Sequence, residues 1–120
     1  MKTKIIASFL LGLVLAGCYY DSEEELYNCQ LDAAGIKYST TLAPVFNSYG
    51  CVSCHNGSGP SGGVVLENYA GVKAAVTGGR LFGAINHNAG FSPMPQGGGK
   101  MNACDIAKVK SWIDAGAPNN

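Results

Sequence analysis

The sequence predicts an all-α fold: one small domain of three to four short helices joined by glycine- and proline-rich loops. Three observations lead to it. Apolar residues recur at helical spacing in three segments. The stretches between them, such as "HNGSGPSGG" and "PQGGGK", are rich in loop-forming residues. The chain has 120 residues, enough for a single domain that buries little apolar surface of its own.

The chain begins with "MKTKIIASFLLGLVLAGC". Lys2 and Lys4 precede an uncharged apolar run from Ile5 to Ala16. That run is too short to cross the roughly 30 Å hydrocarbon core as a helix, and residues 1–17 have the form of a secretory signal peptide. Leu15, Ala16 and Gly17 ahead of Cys18 resemble the lipobox of bacterial lipoproteins. The resemblance implies cleavage after Gly17 and lipid on the Cys18 thiol. The product is then an exported bacterial lipoprotein, anchored to the bilayer on the periplasmic side of a membrane or at the cell surface. An ordinary signal peptide with an incidental Cys18 is the alternative. Residues 18–37 read as an acidic tether, with Asp21, Glu23, Glu24 and Glu25 just behind the anchor. This run also resembles the surface-export signal of Bacteroidota lipoproteins. No basic cluster marks a nucleic-acid surface. From Leu26 onward basic residues outnumber acidic ones slightly, a balance that would steer the domain weakly toward an acidic partner.

Residues 38–120 are expected to form the folded domain. The first helix spans Leu42 to Tyr49, with Leu42, Val45, Phe46 and Tyr49 on one face. Thr41 is its expected cap, Pro44 lies in its first turn and Gly50 ends it. A weaker helix runs from Leu66 to Val76, interrupted by Gly71, and a short helical turn is possible around "RLFGAI". The last helix is the clearest, in "ACDIAKVKSWIDAG". Asn102 caps it with Asp105 in capping-box position. Ile106, Val109 and Ile113 share a face beside Trp112, and Gly116 and Pro118 stop it.

Export allows disulfides to persist, and four cysteines remain once Cys18 is set aside. Cys51, Cys54 and His55 form C-x-x-C-H, the signature of c-type haem attachment. Two thiols three positions apart can add to the two vinyl groups of one porphyrin, and the adjacent imidazole can then bind iron. A thioredoxin-like pair would need a βαβ setting that the chain lacks. A zinc site using Cys51, Cys54 and His87 lacks a fourth ligand of suitable spacing. A plain disulfide beside a chance histidine is the remaining alternative. Cys29 and Cys104 are left over, and an even remainder suggests one disulfide closing a loop of about 75 residues.

A second iron ligand is sought downstream of His55. Met94 sits in "GFSPMPQGGGK", bracketed by Pro93 and Pro95, in a stiff irregular loop able to present one thioether. His87, in "AINHNAG", is the alternative. Met101 comes last, because its place before the final helix suits packing.

The order helix, "CVSCH", helices, "SPMP", helix resembles a class I c-type cytochrome domain, and most closely the small planctomycete-type, cytochrome c-like bacterial lipoproteins. The likeness covers roughly Tyr38 to Pro118. It implies a small cytochrome c fold around one covalent haem c, with thioethers at Cys51 and Cys54, His55 as proximal ligand and Met94 as distal ligand. The chain would then be no enzyme but a membrane-tethered carrier of single electrons between redox partner proteins, with no small-molecule substrate. A haem peroxidase or small-gas sensor with an open distal side, or an electron-transfer subunit of a larger oxidoreductase, are the other functions it allows. A covalent apolar cofactor would also supply core that so short a chain lacks.

Overall fold

The computed structural model describes residues 29, 31–32 and 34–120. The expected signal peptide (residues 1–17), Cys18 and the acidic run lie outside the described residues. Among those described, the regular structure is helical, with no strand. A wide π-type turn over Tyr38–Leu42 leads into α1 (Ala43–Ser48), followed by α2 (Cys51–Cys54), α3 (Tyr69–Thr77), α4 (Arg80–Ile85) and α5 (Ala103–Asp114). A 3₁₀ turn at Ser61–Gly63 separates α2 from α3. None of these helices is long and apolar enough to cross a membrane.

The first helical segment starts earlier than the sequence pattern indicates, and Thr41 does not cap it. Its hydroxyl accepts instead from the Lys37 N–H at 3.3 Å. Pro44 is the physical reason for the difference. In a regular helix its ring would crowd the carbonyl four residues back. The wider turn, in which the Ala43 N–H reaches the Tyr38 carbonyl, carries the chain past that point. Gly50, at φ 69° in the left-handed region, then turns the chain from α1 into α2.

α3 begins at Tyr69 rather than Leu66, because Asn68 accepts from the Gly71 N–H at 2.9 Å and sets the start. Gly71 does not interrupt this helix. A Cβ there would fall 2.8 Å from the Val65 Cβ and 2.9 Å from its carbonyl carbon. The glycine therefore lets α3 lie directly on residues 64–66.

α5 is capped at Asn102, whose side chain accepts from the Asp105 N–H at 2.8 Å. The reciprocal half of a capping box is replaced: the Asn102 N–H donates to the Tyr49 hydroxyl at 3.2 Å. Ile106, Val109 and Trp112 form the buried face, while Ile113 is only partly buried against the core. Trp112 is 1 % exposed and packs with the Tyr38 and Tyr69 rings, at centroid distances of 6.0 and 6.5 Å. Its indole N–H donates to the Pro118 carbonyl at 3.0 Å. The tail is held further by Tyr69, which donates to the Ala117 carbonyl, and by Lys73, which donates to the Gly116 carbonyl. Asn120 reaches back to the opening turn, accepting from the Tyr38 N–H at 2.7 Å. A disulfide joins Cys29 to Cys104, with Cα atoms 5.3 Å apart, and ties the segment before that turn to the first turn of α5.

Gly71→Ala tests this packing. Alanine gains about 1 kcal/mol over glycine within a helix, but overpacking against a backbone that cannot swing aside costs about 1–3 kcal/mol. The steric cost is expected to win, lowering the thermal midpoint. A midpoint that rises on substitution would mean that α3 does not rest on Val65.

Candidate cofactor site

Cys51, Cys54, His55 and Met94 all line one cavity of about 810 Å³, within the roughly 300–1,000 Å³ usual for ligand sites. Phe46, Leu66, Leu81 and Ile85 supply apolar wall, and among the described residues Arg80 is the only Lys, Arg, Asp or Glu on the lining.

His55 is 9 % exposed and is gripped twice by the segment that precedes α3. Its Nδ1 lies 3.1 Å from the Val64 carbonyl oxygen. A carbonyl only accepts, so Nδ1 carries a proton, and in the neutral ring the lone pair then belongs to Nε2. No hydrogen bond from the described residues engages Nε2. The His55 carbonyl in turn accepts from the Leu66 N–H at 2.7 Å. Val64 is extended, at φ −103° and ψ 121°, which lets residues 64 and 66 address the ring and the backbone of the same histidine. This is the arrangement that fixes the tautomer and orientation of a metal-ligating imidazole.

α2 is a single turn, and positions i and i+3 on a helix share a side. Cys51 and Cys54 thus belong to one side of that turn, and both thiols are free. Cys51 is half-buried. Burial pushes its thiol pKa up, partly offset by a backbone hydrogen bond, so it stays protonated at neutral pH. Cys54 is exposed and accepts a long contact from the Ser53 hydroxyl at 3.8 Å.

Met94 arrives from an irregular loop, with a cis peptide to Pro95. Its N–H donates to the Ala84 carbonyl of α4 at 3.1 Å. Its own carbonyl accepts from His87 Nε2 at 3.0 Å. His87 itself is exposed and absent from the cavity wall. Met101 is 3 % exposed within the apolar core and is likewise not part of the wall. Cys51, Cys54 and His87 do not converge: among the described residues no three His, Cys, Asp or Glu side chains come together as a metal site.

Several participants carry no mark in the sequence pattern. The Val64 carbonyl and Leu66 N–H that orient His55 are backbone groups. Tyr49 lines the cavity and also donates its hydroxyl to Asp105 at 3.1 Å. Arg80 had one available signal, being the only arginine in the chain. No family model, curated protein or solved structure matches this chain.

Tyr49 couples the cavity wall to α5 through Asp105. Burial opposes the charge on that carboxylate. Hydrogen bonds from Lys108, Tyr49 and Asn102, with the Lys108 charge, outweigh burial and hold the pKa below its ordinary 3.8. A lowered folded-state pKa contributes stability above the ordinary value, lost as pH falls through the folded one. Stability measured from pH 6 down to pH 2 should therefore fall less steeply in Asp105→Asn than in the parent below about pH 4. Parallel curves would remove Asp105 from the acid response.

Proposed function

We propose that this chain is a monohaem c-type cytochrome, tethered to a membrane through lipid on Cys18, that carries single electrons between redox proteins. The observation that carries the reading is the convergence of two free thiols, a buried imidazole with a committed tautomer and a thioether on one mostly apolar cavity wall. That donor set fits haem c: thiols for two covalent attachments, a nitrogen and a sulfur for iron. Haem bound there would supply reversible one-electron exchange at its iron.

Each residue then has a part. Cys51 and Cys54 would hold the porphyrin covalently through their thiols. His55 offers Nε2, made the better donor by the Nδ1–H bond to Val64. Met94 offers its thioether from a backbone fixed at both its N–H and its carbonyl. Arg80, the one full cation on the wall, is available to the carboxylates that haem carries. Phe46, Leu66, Leu81 and Ile85 keep the surroundings apolar. Ligands restrained through backbone hydrogen bonds would suit a centre that must change charge with little movement. Residues 18–37 give the domain reach from the bilayer, on the exported side of a membrane or at the cell surface.

The test is an optical spectrum of protein produced with c-type maturation machinery, in both oxidation states and with carbon monoxide. A low-spin spectrum insensitive to carbon monoxide, converted to a carbon monoxide-binding one by Met94→Ala, is the expected result. Ready carbon monoxide binding by the parent protein would favour a gas-binding or peroxide-reducing site instead. Absence of covalent haem after maturation would falsify the proposal.

The haem-free protein, made as Cys51→Ala/Cys54→Ala, is expected to be largely unfolded. So small a domain cannot keep an apolar cavity of about 810 Å³ open among its helices. Circular dichroism checks this: a cooperative melt with native-like helicity would show that the polypeptide alone is sufficient.

A further inference from the structure

The loop that carries Met94 is fastened by a residue in an unfavourable backbone conformation. α4 ends in a Schellman motif: the Asn88 N–H reaches the Gly83 carbonyl at 2.9 Å, and the His87 N–H reaches the Ala84 carbonyl at 3.2 Å. In that motif the residue after the cap is left-handed, and glycine is the usual occupant because it has no Cβ to strain. Here the position holds His87, at φ 56°. His87 is exposed, so core packing does not account for a bulky side chain there. Among the described residues, its one side-chain hydrogen bond is that from Nε2 to the Met94 carbonyl. Since the carbonyl can only accept, Nε2 carries the proton.

We infer that His87 is a positioning residue: its imidazole clasps the Met94 carbonyl and so fixes the segment that presents the Met94 thioether to the cavity. The same α4 terminus holds Met94 from the other side, because Ala84 accepts both the His87 N–H and the Met94 N–H. Turn and loop are thereby joined by two bonds, Met94 N–H to the Ala84 carbonyl and His87 Nε2 to the Met94 carbonyl. The inference assigns His87 a place behind the ligand rather than on the iron, and its consequence for iron rests on the proposed haem reading.

His87→Gly separates this role from helix capping. Glycine suits the left-handed position better than histidine, so a residue that only ends α4 should lose nothing on substitution, and the thermal midpoint should hold or rise. The clasp instead requires local loosening. Backbone hydrogen exchange at Met94 and through residues 90–97 is expected to accelerate at least tenfold, without faster exchange in α5. In haem-loaded protein, added imidazole should displace Met94 with an affinity about tenfold higher than in the parent. His87→Gln, which can still donate to the carbonyl, should recover part of both effects. Exchange and imidazole affinity that both stay at parental values in His87→Gly would overturn the inference. A parent that folds without taking up haem defeats the proposed function and its haem-dependent folding, while hydrogen exchange on that folded protein still decides the clasp.

Discussion

The hydrogen bond from His55 Nδ1 to the Val64 carbonyl is the constraint around which the described structure is arranged. By itself such a bond contributes only about 1 kcal/mol. Its weight comes from what holds the acceptor still. Val64 belongs to an extended segment whose Leu66 N–H is bonded to the His55 carbonyl. α3 can press on that segment because Gly71 presents no side chain to Val65. α3 is in turn fixed by Tyr69, packed on Tyr38 and Trp112, and by Lys73, which binds the carbonyl of Gly116. An imidazole in a short glycine-flanked turn thus inherits the rigidity of the aromatic core, through contacts no longer than a side chain each.

The placement of Met94 solves the same problem with less material. The Met94 loop has no repeating structure of its own, and ordering such a segment costs backbone entropy for every residue. α4 offsets that cost with its exposed end. Ala84 accepts the Met94 N–H, His87 reaches the Met94 carbonyl, and Phe91 lies against Gly83 so closely that a Cβ there would fall 2.5 Å from the ring. Both candidate iron ligands are therefore placed by backbone groups of neighbouring segments. A ligand held this way keeps its position when the charge at the site changes, because the restraint does not depend on that charge.

The parts of this arrangement that were legible in the sequence are those written in side-chain type and spacing. α5 follows from its apolar period and the Asn102 cap, and Cys51, Cys54, His55 and Met94 follow from local motifs. What was not legible depends on contacts between distant segments. Gly71 reads as a helix interruption because glycine is a poor helix former, yet the helix runs through it, since close packing on Val65 requires the missing Cβ. Thr41 reads as a cap, but Pro44 shifts the opening turn upstream. His87 reads as a second possible ligand because a histidine near a methionine loop has the right chemistry. Only the fold reveals that its Nε2 is already committed to the backbone of that loop.

The charges of the folded part bear on how a redox partner would meet it. The excess of basic residues beyond Leu26 suggests steering toward an acidic surface, but the structure disperses that excess. Lys108 and Lys110 pair with Asp105 and Asp114, and Lys73 is turned onto chain-end carbonyls. Of the remaining cations only Arg80 reaches the cavity wall, and it donates to the Gly62 carbonyl at 3.1 Å. The loop that brings Met94 to the cavity, residues 89–99, contains no charged residue, and it carries Phe91, 40 % exposed. Salt screens fields beyond roughly 8–10 Å, so dispersed and paired charges would add little to the rate of encounter. Under the proposed reading, the tether performs that task instead. Confining the domain to a membrane surface raises its effective concentration near a partner in the same membrane, and a short-range apolar contact around the loop can then suffice for exchange.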